Sequence, residues 1–168
     1  GELQENILKK FPNVRILDCS RNKITTLEPL SLLKNLEVLD CHNNQITTLE
    51  PLSNLTNLQK LYCSLNQITS LQPLSLLTNL QELYCSDNKI TTLEPLSLLT
   101  NLQKLYCYSN KITSLQPIIY LRNLRELEYY NNLIEHPSIQ VERFLNRLNN
   151  RNTNYSVYND TQNVHDVR

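Results

Sequence analysis

Five cysteines, Cys19, Cys41, Cys63, Cys85 and Cys107, stand 22 residues apart in a chain of 168 residues. Thiols can attack carbonyls, form disulfides or hold metals, and each of these uses requires partners. A nucleophile needs a base within hydrogen-bond reach and a third group to orient that base. The histidines, His42, His136 and His165, fall far apart in the 22-residue frame, and no serine or cysteine has a recognisable histidine and carboxylate beside it. A tetrahedral metal site needs a ligand cluster, yet the chain has no C-x-x-C pair. Disulfides fit poorly as well, because the count is odd and in-register thiols on adjacent parallel strands rarely meet the required dihedral. Gly1 is the single glycine, so no glycine loop is present to cradle a phosphate. The thiols are read as a ladder of small buried hydrophobes. No catalytic residue, cofactor or metal ligand is assigned, and the chain is read as a non-enzyme. Five thiols kept reduced point to a reducing, cytoplasmic compartment.

The spacing that defeats these chemistries describes the scaffold. Each cysteine is the seventh residue of a unit N-L-x-x-L-x-C-x-x-N-x-I-T-x-L-x-P-L-x-x-L-x, and six units begin at Asn13, Asn35, Asn57, Asn79, Asn101 and Asn123 without insertion or deletion. The stretch around L-x-C alternates inward and outward side chains, as a short strand does. Pro29, Pro51, Pro73, Pro95 and Pro117 suit the first turn of a short helix in the return half of each unit. The asparagines at 22, 44, 66, 88, 110 and 132 stand where the chain leaves the strand, and a buried amide there satisfies backbone groups that the turn leaves unpaired. The asparagine opening each unit is expected to take a left-handed conformation in place of glycine.

The L-x-x-L-x-[LC]-x-x-N core, kept in register over residues 13–144, resembles the leucine-rich repeat proteins. Its short unit and L-x-P-L-x-x-L-x-N-L half are similar to the subgroup that includes bacterial internalins and phosphatase-regulating proteins. The resemblance implies an α/β fold: a right-handed solenoid, or horseshoe, with a concave parallel β-sheet and a convex side of short helical or 3₁₀ turns. It also implies a scaffold for protein–protein interaction. The subgroup spans unrelated functions, so the resemblance implies no particular partner.

Around six repeats at 13–144, residues 1–12 are expected to form a partial repeat or cap, with Leu8 and Phe11 at the inward positions of the return half. A capping helix is expected over 138–148, begun by Ser138, with Val141, Phe144, Leu145 and Leu148 inward. Residues 149–168 form a polar extension in which Tyr155–Tyr158 alternates like one added strand. The formal net charge is zero with 16 basic and 16 acidic residues. The basic residues are scattered, and the chain lacks the positive field expected of nucleic-acid binders. No apolar run approaches the ~20 residues of a membrane span.

The candidate site lies on the outward columns of the sheet. The sixth position runs Asp18, Asp40, Tyr62, Tyr84, Tyr106, Glu128, and the eighth runs Ser20, His42, Ser64, Ser86, Tyr108, Tyr130. Tyrosine joins a large apolar area to a hydrogen-bonding tip and is enriched at binding hot spots. Tyr62, Tyr84, Tyr106, Tyr108 and Tyr130 are therefore expected as anchors for an unidentified protein partner, although a tyrosine ladder also stabilises a sheet. Asp18, Asp40, His42, Lys60, Glu82, Lys104 and Glu128 are expected to set specificity. The fourth-position alternation Lys60, Glu82, Lys104, Glu126 reads chiefly as a register device. Two other readings stand beside this one: the targeting or regulatory half of a larger enzyme, such as a ubiquitin ligase or kinase, and a self-associating structural module.

Overall fold

In the computed structural model, which describes residues 3–151, the repeat becomes a stack of flattened coils. Strands β1 (Ile16–Asp18), β2 (Val38–Asp40), β3 (Lys60–Tyr62), β4 (Glu82–Tyr84), β5 (Lys104–Tyr106) and β6 (Glu126–Glu128) form one parallel sheet in sequence order. Every paired residue is offset by one repeat, as in Leu39 with Leu61 and Tyr62 with Tyr84. Each strand spans three residues; from β2 to β6 the central leucine is buried and its two neighbours are half-buried on the outward side, while in β1, at the end of the stack, Leu17 is only partly buried. The return half makes 3₁₀ turns at Glu28–Leu32, Glu50–Leu52, Gln72–Leu74, Glu94–Leu96 and Gln116–Ile118, each with proline in its first turn. The sheet is the concave side of the solenoid and the turns its convex side.

Between the two sides lies a continuous core. Leucines 39, 49, 52, 55, 58 and 61 are fully buried, as are the corresponding leucines of the third and fourth repeats, and full burial of each side chain stabilises the fold by about 1.5–3 kcal/mol. The five thiols are free and buried inside this core. In the sixth repeat Tyr129 takes the cysteine position and is also buried.

Polar ladders hold the coils in register. Asn66 donates to the carbonyls of Cys63 and Cys41 (both 3.1 Å), while its Oδ1 accepts the Ile46 N–H at 3.0 Å. Asn44, Asn88, Asn110 and Asn132 repeat this pattern. At the start of each 3₁₀ turn a hydroxyl accepts a backbone N–H two residues ahead, as Thr48 does from Glu50 and Ser70 from Gln72.

The structure corrects the expected place of the left-handed residue. Positive φ falls at the ninth position, on Arg21, Asn43, Leu65, Asp87, Ser109 and Asn131, and not on the asparagine that opens each unit. The chain leaves the strand at the ninth position, and there its N–H reaches the next coil, as Leu65 does to the Ser86 carbonyl at 3.0 Å. The opening asparagine serves the stack instead, since Asn79 donates to the carbonyl of Thr56, the residue just before the opening asparagine of the preceding repeat.

At the N-terminal end, α1 (Glu5–Leu8) lies beside the first turn. Leu8 packs on the core, but Phe11, expected inward, is exposed, because no coil is stacked on that side of it among the described residues. At the other end, helix α2 (Ile139–Arg151) runs beyond residue 148. Ser138 accepts the Val141 N–H through its hydroxyl and the Glu142 N–H through its carbonyl. Val141, Phe144 and Leu148 close the core, with Leu145 partly buried. The strand expected at Tyr155–Tyr158 lies outside the described residues. Among the described residues no helix is long and apolar enough to cross a membrane.

Candidate functional site

The first and third residues of each strand project from the concave side, so identical positions in successive repeats form columns about 4.8 Å apart. In the sixth-position column this spacing brings tyrosine rings into contact. Tyr62 meets Tyr84 edge-on with ring centroids 4.8 Å apart, and Tyr84 stacks on Tyr106 at 4.4 Å with planes 3° apart. Tyr108 and Tyr130 form a second parallel pair at 4.5 Å in the eighth-position column. The five expected anchors therefore form two stacks side by side, all of them half-buried.

The fourth-position charges brace the rings. Glu82 holds Lys60 at 3.1 Å through one oxygen and accepts the Tyr62 hydroxyl at 3.1 Å through the other. Two repeats later Glu126 holds Lys104 at 3.1 Å and accepts the Tyr106 hydroxyl at 2.9 Å. Glu126 was not among the residues expected to set specificity. Its role follows from Tyr106 hydrogen-bonding across to the next strand, which requires knowing that the rings lean that way. Burial, followed by the Glu82 carboxylate, pushes the Tyr62 hydroxyl up to about 12. Burial and the hydrogen bond to Glu126 push Tyr106 up as well, while the same carboxylate holds the Lys104 ammonium above its ordinary value. These phenols stay protonated at neutral pH and act as donors.

Toward the N-terminal end the outward face changes character. Asp18 and Asp40 are register partners. Asp40 lies 2.7 Å from the His42 ring, and the Arg21 guanidinium donates to the other side of that ring at 3.3 Å. Hydrogen bonds from Ser20 hold the exposed Asp18 carboxyl below its ordinary range. At the C-terminal end Glu128 is half-buried, and burial together with the neighbouring Glu126 pushes its carboxyl up. Every expected specificity residue thus lies on the sheet face, but in three groups: the acidic pair with His42, the braced tyrosine stack, and Glu128 at its end. Leu65, half exposed beside this face, adds apolar surface.

The convex side offers a different surface. Leu76, Leu98 and Tyr120 occupy the same repeat position and are 75%, 73% and 72% exposed. Tyr120 lines two open cavities, one of about 480 Å³ between the fourth and fifth turns and one of about 420 Å³ between the fifth turn and α2.

Residues 12–54 and 56–98 match the family described as Leucine Rich repeats (2 copies). The fold is similar to internalin C2 from Listeria monocytogenes, with 33% identity and a TM-score of 0.68 over 82% of this chain and 70% of that one. It is also similar to a second internalin of that bacterium, at 26% identity and a TM-score of 0.71, covering 84% of this chain and 47% of that one. A third similar structure is the ectodomain of the Arabidopsis receptor kinase HAESA in complex with a peptide hormone, at 26% identity and a TM-score of 0.70, covering 78% of this chain and 24% of that one. This chain thus spans about half the length of the longer internalin. No curated protein sequence matches it.

Proposed function

The chain belongs to the leucine-rich repeat family, and from that premise we propose that it is a non-catalytic scaffold that docks a protein partner on the tyrosine stacks of its concave sheet. The observation that carries this reading is the join between rings and charges. Tyr62, Tyr84 and Tyr106 present one aromatic strip across three strands, and their flanking Lys60 and Lys104 are already neutralised by Glu82 and Glu126. An anchor fixed in advance loses little side-chain freedom on binding, which is the usual cost of using large residues in an interface. The peptide hormone in complex with the HAESA ectodomain supports a peptide segment as the kind of partner such a solenoid can take.

A second reading rests on Leu76, Leu98 and Tyr120, which form an apolar ridge on the convex side suited to association with another surface. Capture of proteins from the cells that make this chain separates the two. Replacing Tyr84 and Tyr106 by Ala removes two central anchors, each worth about 2 kcal/mol or more at a hot spot. Retained partner should fall at least ~30-fold, with the fold confirmed by circular dichroism. Undiminished capture by the folded double variant overturns the concave reading, and loss of capture on replacing Leu76 and Leu98 by Ser favours the ridge.

A further inference from the structure

The tyrosine column ends on a carboxylate. Tyr84 covers one face of the Tyr106 ring in a parallel stack, so the other face looks toward β6, where the register partner of Tyr106 is Glu128. Glu128 differs from the other glutamates of the sheet. Glu37, Glu82 and Glu126 each hold a basic side chain, respectively Arg15, Lys60 and Lys104, whereas Glu128 has no ion pair or hydrogen bond to its side chain among the described residues. Its neighbours are unfavourable to an anion. The face of an aromatic ring carries the negative part of its quadrupole, and the Glu126 carboxylate stands two residues back on the same face of β6. Tyr130, two residues ahead on that face, is stacked on Tyr108, and its hydroxyl senses the Glu128 charge, as does that of Tyr106.

We propose that Glu128, the face of Tyr106 turned away from Tyr84 and the flanking Tyr130 form a receptor for a guanidinium group, an arginine side chain of the docked segment. This rests on the concave-face reading and names the chemistry of its partner. A guanidinium answers these surroundings in three ways: its flat cation stacks on the Tyr106 face, its paired N–H groups fork onto the Glu128 carboxylate, and its charge relieves the repulsion between Glu128 and Glu126. The charge of the surrounding face agrees. Lys60 and Lys104 are engaged by Glu82 and Glu126, and Asp18, Asp40, Asp87 and Glu128 outweigh Arg21 on the same columns, an acidic surplus that attracts a basic segment.

The test is a titration of the isotope-labelled chain with N-acetyl-arginine amide, followed by amide chemical shifts. N-acetyl-citrulline amide, the same shape without charge, serves as the parallel probe. The arginine probe should produce saturable shifts centred on Tyr106, Glu128 and Tyr130, with a dissociation constant of about 1–30 mM. Binding should weaken at least fivefold for citrulline and at least fivefold in Glu128→Gln, whose spectrum also reports that the fold is kept. No localised saturable shift, an equal response to citrulline, or an arginine response centred on Asp18 and Asp40 and untouched by Glu128→Gln overturns the receptor. The two readings fail separately. A failed titration alongside tyrosine-dependent capture overturns only the arginine receptor, whereas a successful one alongside tyrosine-independent capture overturns the scaffold face.

Discussion

Replacing Asn66 by Ala should destabilise the chain by about 2–4 kcal/mol, and the hydrogen-bond ladder shows where that figure arises. Asn66 is 9% exposed, and its side chain joins two coils, its own through Cys63 and the preceding one through Cys41 and Ile46. The Cys41 carbonyl keeps a second donor, Asn44, and the Cys63 carbonyl keeps Asn88, so neither is orphaned. The Ile46 N–H, by contrast, loses the acceptor that the side chain supplies. A buried donor left unpaired costs about 1–3 kcal/mol, and the weakening of two shared carbonyls adds about 1 kcal/mol. Asn22 provides the internal comparison. It is exposed at the first coil and donates to Cys19 and Ser20, so Asn22→Ala should cost less than half as much. Urea unfolding, followed both by circular dichroism and by tyrosine fluorescence to check that the transitions coincide, measures both. With a slope of about 1–3 kcal/mol per molar, the Asn66 variant should lose ~1–2 M in midpoint. A loss equal to that of Asn22→Ala, or one below about 0.5 kcal/mol, would refute the ladder as the element that joins the coils.

Three further outcomes follow from the same geometry. A double-mutant cycle on Tyr84 and Tyr106 should give a coupling of about 0.5–1.5 kcal/mol, and a value near zero would mean that the parallel stack stabilises nothing. Leu65 holds φ at 57°, a region that favours asparagine, so Leu65→Asn should raise the urea midpoint by the equivalent of up to ~1 kcal/mol; a lowered midpoint would place the worth of Leu65 in its packing. Burial, aided by Asp18 and Asp40, pushes the Cys19 thiol up to about 11, and burial pushes Cys107 up to about 12. The remaining thiols are also raised above the ordinary 9.0. The unfolded chain releases these protons first, so this stabilisation is whole below pH 9 and is lost as pH climbs through the folded values near 11 and above. Urea midpoints from pH 8 upward should fall beyond pH 9, and a thiol reagent at pH 8 should label the native chain slowly, Cys19 first. Rapid labelling of all five thiols would contradict their burial.

Where the sequence was legible, it was so because every repeat states the same rule. Six copies in register made the sheet, the inward leucines, the buried thiols and the asparagine ladder readable without coordinates, since each column sees one environment. The left-handed residue escaped that reading because its position carries Arg, Asn, Leu, Asp, Ser and Asn in turn, and no residue type marks it. There the conformation is imposed by the coil-to-coil hydrogen bond. Alignment with the repeats places Phe11 inward, but burial at an inward position depends on a neighbouring coil and not on the residue alone. On the concave face the columns gave the proximity of the tyrosines, while ring orientation, the bracing of Tyr106 by Glu126 and the unpaired state of Glu128 depend on rotamers that columns do not specify.

Photocrosslinking from the two sides of the solenoid tests the central claim most directly. Benzoylphenylalanine placed at Tyr84 on the sheet, and separately at Leu98 on the convex ridge, would be irradiated in extracts of the cells that make the protein, and the adducts would be separated by mass. Docking on the concave tyrosines predicts a discrete adduct from position 84 that is absent from position 98. The same adduct from position 98, with none from position 84, would contradict it and place the partner on the convex ridge.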